Sequence, residues 1–171
     1  MSLASHHEQL RDAVRRFARE QLAPNAPAWD REKRFPREQL RGLAEMGLMG
    51  VAIPEEWGGA GMDTTALAIA CDEISAGDGA TCTIVMVTNL VANILMGYGN
   101  DAQKEAFLKP VAQGRMFGAF ALTEPHVGSD AAAITTRAEK SGAHYVLNGV
   151  KQFITSGKTA DVAIAFAVTD R

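Results

Sequence analysis

The apolar residues of this chain change their spacing once, at Gly114, and that switch limits the fold more than any other feature. Before it, apolar positions recur every three or four residues, as on helices. After it they come in short or alternating runs, as on strands. A chain that is helical first and β afterwards folds as α+β: an all-α bundle followed by the first strands of a barrel-like or sandwich domain. The expected domains are residues 1–114 and 115–171.

Leu10, Val14, Phe17 and Gln21 share one face, with Ala13 and Ala18 beside them, so a helix is expected from Ser5 to Leu22, ended by Pro24 and Pro27. Pro36 suits a first helical position; Leu40, Leu43 and Met46 form the face that follows, and Gly47 is the stop. The glycines and proline around Trp57 read as loop. Asp63 caps a helix carrying Leu67, Ala70, Cys71 and Ile74, which ends at Gly77-Asp78-Gly79. Thr81 to Tyr98 has the Val, Ile and Thr content of a strand, but its length predicts a buried helix. Asn89 and Asn93 interrupt it, so its fully apolar runs are too short to cross a bilayer and no membrane span is expected. Asn100 with Gln103 makes a capping box for a helix bearing Phe107, Leu108 and Val111.

Beyond Gly114, strands are expected at Met116–Leu122 and Ile134–Glu139, then at Tyr145–Leu147 after a turn at Ser141-Gly142. Asn148-Gly149 is the strongest hairpin signal, with Lys151–Thr155 as the returning strand, and Val162–Val168 reads as one more. Such a sheet has exposed edges and no closing strands, as though a β domain had been cut through.

A net charge of −3 gives no reason to expect nucleic acid or an anionic membrane as partner. The start MSLASHHEQLRDAVRR lacks the apolar stretch of a targeting peptide, and Cys71 and Cys82 read as reduced buried thiols, so a cytoplasmic location is expected. There is no GxGxxG, GxxxxGK[ST], HExxH or GxSxG. His6, His7, His126 and His144 show no metal-like spacing and read as solvated, so no metal is expected.

Two stretches carry chemistry. In FALTEPHVGSD, Phe120 to Asp130, an apolar strand ends on two hydroxyls and two carboxylates, Pro125 stiffens the turn, and Gly128 permits close backbone approach. Such a loop can hold a polar ring edge through Thr123 and a diphosphate through Ser129; equally, it can be a turn satisfying its own backbone. In GVKQFITSG, a strand with Phe153 and Thr155 on one face offers a stacking surface beside a hydroxyl, or is simply a sheet aromatic next to a β-former. Spacing leaves both pairs of alternatives open.

These residues resemble the acyl-CoA dehydrogenases, whose flavin signature is TEP-x-x-GSD and whose second segment is K-x-W-I-T. The resemblance extends through REKRFPREQLRGLAEMGLMGVAIPEEWGGAGMD, GYGNDAQKEAFLKPVAQG and YVLNGVK, in the family's order along nearly the whole chain. It implies FAD as cofactor, with Phe120, Leu122 and Thr123 lining the flavin ring, Gly128 and Ser129 near the diphosphate, and Phe153, Ile154 and Thr155 flanking the ring. It also implies an acyl-CoA substrate near Ser129, with the Thr81–Tyr98 helix, through Val85 and Thr88, helping to form the acyl-chain cavity. The implied reaction of the parent protein removes hydrogens across Cα–Cβ to give a trans-2-enoyl-CoA and hands electrons to an electron-transfer flavoprotein. The full-length parent would be a homo-oligomer.

Two departures stand out. Phe153 occupies the position where the family usually has Trp, which keeps a stacking face and loses an N–H donor. The family's catalytic glutamate belongs to a C-terminal helical domain that has no counterpart here, so no catalytic residue is expected in this chain, which alone would be inactive. Glu124, inside the flavin motif, is expected to be structural. The alternatives are an acyl-CoA oxidase or flavin monooxygenase of the same fold, or a non-catalytic helical interaction module.

Overall fold

The computed structural model describes residues 3–170; Met1, Ser2 and Arg171 lie outside the described residues. The helical part comprises α1 (Ser5–Phe17), continued by a π-helical turn at Ala18–Leu22, then α2 (Ala26–Glu32), α3 (Arg37–Glu45), α4 (Thr64–Gly77), α5 (Gly79–Tyr98), α6 (Asp101–Gln103) and α7 (Lys109–Ala112). A second π-helical turn, Lys104–Leu108, joins the last two.

The expected caps at Asp63 and Asn100–Gln103 are present, and Asp78, expected only as part of a helix stop, supplies another. Asp63 accepts from the Ala66 N–H at the start of α4, and Asp78 accepts from the Thr81 N–H at the start of α5. Asn100 and Gln103 exchange reciprocal hydrogen bonds. Each removes an orphan donor of the first turn, so these helix starts are set locally. Gly47 and Gly114 stop their helices in the left-handed region, at φ 77° and 67°.

α1, α3, α4 and the first half of α5 enclose one core, with Val14, Leu22, Leu40, Leu43, Ile74 and Val85 fully buried. Each such side chain contributes about 1.5–3 kcal/mol relative to exposure. Two polar bridges cross this part. Arg15 donates through two nitrogens to the buried Glu73, whose carboxyl it holds below the usual range. His7 is not solvated as expected: it is buried and its Nε2 lies 2.9 Å from Asp63 Oδ1. The pairing joins residues 56 apart, a distance at which sequence spacing carries no signal.

By length and composition α5 could cross a membrane, with a mean hydropathy of 1.6, but half of that window is buried within the fold. Asn89 interrupts its apolar run for a structural reason. It accepts from the Val51 N–H at 3.0 Å and donates to the Leu48 carbonyl at 2.8 Å and the Val85 carbonyl at 3.0 Å. The loop after α3 is thereby fastened to the middle of α5.

Cys71 and Cys82 are free thiols, and the Cys82 Sγ donates to the Cys71 carbonyl at 3.3 Å. Burial pushes the Cys71 thiol up to about 12, and burial also raises Cys82. Cys71 is therefore expected to react with a disulfide reagent at pH 8 on the order of 10³-fold more slowly than free cysteine, Cys82 also more slowly, and both at the ordinary rate once urea unfolds the chain. Rapid labelling in native buffer would contradict this.

The β part is β1 (Gly118–Ala121), β2 (Arg137–Ser141), β3 (His144–Asn148) and β4 (Val162–Ala165). β1 pairs with β4 in parallel, Gly118 opposite Val162, and β2 pairs with β3 antiparallel, Ser141 opposite His144. The two ladders meet where Ala138 N–H donates to the Val168 carbonyl and Val168 N–H to the Thr136 carbonyl. β1 lies directly on α5, because a Cβ at Gly118 would sit 2.7 Å from Val91 Cβ.

The hairpin expected at Asn148-Gly149 does not form. The hairpin turn is at Gly142, with φ 60°, and Lys151–Thr155 is not a strand. Gly149 serves a different need: a Cβ there would meet Thr136 Oγ1 at 2.4 Å and Thr136 Cα at 2.7 Å, so the glycine lets the chain pass across Thr136. Phe153 and Ser156 take left-handed backbone, φ 56° and 59°, which is incompatible with a continuous strand there.

Candidate functional site

The strand exit at Leu122 and the loop at Lys151 are separate in sequence and tied together in space. Gln152 N–H donates to the Thr123 carbonyl at 2.9 Å, and Lys151 Nζ donates to the Leu122 carbonyl at 2.9 Å. Glu124 is the node of the arrangement. It is 4% exposed and accepts from Lys151 Nζ at 2.8 Å, from Thr135 N and Oγ1 at 2.7 Å each, and from Thr136 N at 2.9 Å. One carboxylate therefore fastens the start of the Thr123–Asp130 loop to its far end and to the Lys151 loop.

Lys151 first, then Thr136 and Thr135, hold the Glu124 carboxyl well below the usual carboxylate range, against the opposing pull of desolvation. A carboxylate engaged by four donors is a fixed structural anion and a poor proton acceptor. The turn itself closes on reciprocal bonds, Glu124 N–H to the Val127 carbonyl at 2.9 Å and Val127 N–H to the Glu124 carbonyl at 3.1 Å. Pro125 and His126 form its tip.

This anchoring brings most of the expected residues together. Phe120 is half-buried on β1, its ring edge-on to Phe166 at 5.2 Å between centroids. Leu122, Thr123, Ile154 and Thr155 are also half-buried at the junction of the two loops. Among the described residues, the hydroxyls of Thr123 and Thr155 have no hydrogen-bond partner. Ser156 Oγ, one residue on, is buried without one. Gly128 and Ser129 are exposed, and a Cβ at Gly128 would meet nothing within 4 Å. The junction thus carries an apolar surface and several uncommitted polar groups, which suits a flat ring with hydrogen-bonding edges.

Three expectations need correction. Phe153 does not share a strand face with Thr155; its left-handed backbone turns it outward, and it is 85% exposed. Val85 and Thr88 are 0% exposed in the core, and Thr88 Oγ1 donates to the Ile84 carbonyl of its own helix, so neither can meet a ligand. The exposed stripe of α5 runs instead through Thr83, Met86 and Leu90. Because α5 is apolar on nearly every side, periodicity could not distinguish these faces.

A concavity lies beside this junction. It is a cleft of about 780 Å³ between the α2 region, the start of α5 and the 154–159 loop, lined by Trp29, Phe35, Ile84, Ile154 and Ser156. A second, of about 500 Å³, opens on the other side of Ile154 against Ala119 and Ala163. Thr123 and Thr155, both half-buried, line neither.

Comparison with known proteins follows these two parts of the chain. Residues 4–115 match the acyl-CoA dehydrogenase N-terminal domain, and residues 119–171 match the acyl-CoA dehydrogenase middle domain. A short-chain specific acyl-CoA dehydrogenase of Clostridium acetobutylicum is 40% identical over 171 residues, which is 99% of this chain and 45% of that protein. A mitochondrial short-chain specific acyl-CoA dehydrogenase of Homo sapiens is 41% identical over 100% of this chain and 42% of its own length. Among solved structures, a glutaryl-CoA dehydrogenase from Mycobacterium smegmatis in complex with FADH2 superposes with a TM-score of 0.93 at 34% identity, over 98% of this chain and 44% of that one. The chain thus spans less than half the length of these relatives, and it belongs to the acyl-CoA dehydrogenase family.

Proposed function

We propose that the whole protein is an FAD-dependent acyl-CoA dehydrogenase that converts an acyl-CoA thioester to its trans-2-enoyl-CoA. The observation that carries this reading is the joining of two loops, Gln152 N–H to the Thr123 carbonyl and Lys151 Nζ to the Leu122 carbonyl, with the hydroxyls of Thr123 and Thr155 left without internal partners. In this reading Phe120, Leu122 and Ile154 contact the flavin ring, and Thr123 and Thr155 hydrogen-bond its polar edge. Gly128 and Ser129 face the diphosphate, and Ser129 also the acyl-CoA. Phe153 supplies an aromatic face at the outer rim.

Bound FAD would supply the hydride acceptor for the β-hydrogen. The chain's own part is to bind and orient. Glu124, the buried carboxylate at the junction, is committed to four donors and serves as a structural anion; the family resemblance implies a glutamate of a C-terminal domain as the proton acceptor for the α-carbon. The same reading makes an electron-transfer flavoprotein the acceptor, the full-length protein a homo-oligomer and the cytoplasm its location.

The test is a titration of FAD into the chain and into a version extended to the relatives' length, followed by visible absorbance after desalting. Thr123→Val and Thr155→Val should each weaken flavin binding by about tenfold, the value of one hydrogen bond of roughly 1–1.5 kcal/mol. Flavin binding indifferent to both substitutions would remove the basis for the assignment. Oxygen uptake on acyl-CoA addition to the extended, flavin-loaded protein would favour an oxidase over a dehydrogenase.

A further inference from the structure

We infer that His6, His7 and Asp63 form a binding site for a divalent transition metal, with zinc the fitting ion, joining the first turn of α1 to the start of α4. The ligand atoms of the three residues all lie within 4.8 Å of one another. His7 Nε2 is 2.9 Å and 3.1 Å from the two Asp63 oxygens, and the His6 and His7 rings are 4.0 Å apart between centroids. This convergence is not a by-product of helix periodicity. Consecutive residues on a helix point about 100° apart, yet both imidazoles gather beside a carboxylate from another element.

The burial pattern suits a half-built site. His7 is 7% exposed and fixed by its surroundings, whereas His6 and Asp63 are exposed and free to adjust. Ligand atoms around one zinc, with bonds of about 2.0–2.2 Å, sit roughly 3.3–3.6 Å apart. The His7–Asp63 pair is held at hydrogen-bond distance, so a metal would replace the bridging proton and open the pair slightly, with the exposed His6 drawing in from within 4.8 Å. Two imidazole nitrogens and one carboxylate oxygen are a borderline set that favours zinc and its neighbours over calcium or magnesium, which prefer six or more oxygens. Water would complete a tetrahedron.

The N-terminal ends of α1 and α4 oppose a cation here, so the site should be weaker than a closed four-ligand one. Asp63 can serve both purposes, since Oδ1 accepts from the Ala66 N–H while the carboxylate faces His7. This inference is independent of the flavin assignment.

The experiment is calorimetric titration of zinc chloride into the chain after chelator treatment, with thermal unfolding alongside. One zinc should bind per chain, and Tm should rise by roughly 3–6 °C at zinc ten times its Kd. His6→Ala removes an exposed ligand, and Asp63→Asn keeps an acceptor for the cap. Each should weaken zinc at least tenfold and abolish the Tm gain without unfolding the apo chain. The double variant His126→Ala/His144→Ala, in exposed positions, should bind as the parent does. Absence of stoichiometric zinc, or binding that survives His6→Ala or is lost with His126 and His144, overturns the inference.

Discussion

Replacing Lys151 with Met should lower Tm by about 10 °C at neutral pH, because it leaves the buried Glu124 carboxylate without its cation. Lys151 Nζ is 2.8 Å from Glu124 Oε1 and 2.9 Å from the Leu122 carbonyl, so the same change also releases the strand exit that carries Thr123. Flavin retention by the extended protein should fall with it. The pH dependence identifies the cause. In the parent, folding holds the Glu124 carboxyl far below its unfolded value near 4.3. Its contribution is therefore present above that value and is lost as pH falls from about 5 downward. In Lys151→Met the carboxylate is buried with less support, so acid relieves the defect, and the gap between variant and parent should narrow from pH 7 to pH 4. The double variant Glu124→Gln/Lys151→Met should lose less than the sum of the single losses, since neither charge is then stranded. Equal Tm values for parent and Lys151→Met, or a gap that widens in acid, would show that the pair does not hold the loops together.

Asn89→Ala should cost about 2–4 kcal/mol, measured by urea unfolding. Its amide is 1% exposed, and removing it strands the Val51 N–H and the Leu48 carbonyl, both on buried residues. Asn89→Leu separates hydrogen bonding from packing: it restores volume and leaves the same groups unsatisfied, so it should remain destabilised. Recovery of parental stability in Asn89→Leu would mean that the side chain only fills space. The effect should spread beyond α5, because the loop it fastens passes between α3 and α4, and amide exchange at Val51 should rise markedly.

The helical two-thirds of the chain were largely legible because their signals act over three or four residues. Asp63 and the Asn100–Gln103 pair each cap the helix that starts beside them, and Gly47 and Gly114 stop theirs, whereas the Asp78 cap of α5 was hidden in what reads as a helix stop. The β part was legible in order but not in register. Asn148-Gly149 has the composition of a tight turn, yet the chain there is committed by contacts to Thr136, twelve to thirteen residues earlier, and by the left-handed turn at Phe153. The motif residues were legible as chemistry, and the bonds that draw them together, Gln152 to Thr123 and Lys151 to Glu124, were not.

By itself, the sequence determined the α-then-β order, the helix caps and the two polar loops, along with a resemblance specific enough to expect a flavin protein. Tertiary structure alone decided which side of α5 faces outward, since an all-round apolar helix takes its buried face from its neighbours. It also decided which groups Glu124, expected to be structural, holds together, and that His7 meets Asp63. Capping and turn chemistry are satisfied within one turn of backbone and so are written locally. Burial and ion pairing depend on groups 27 to 58 residues away, whose positions exist only once the chain has folded.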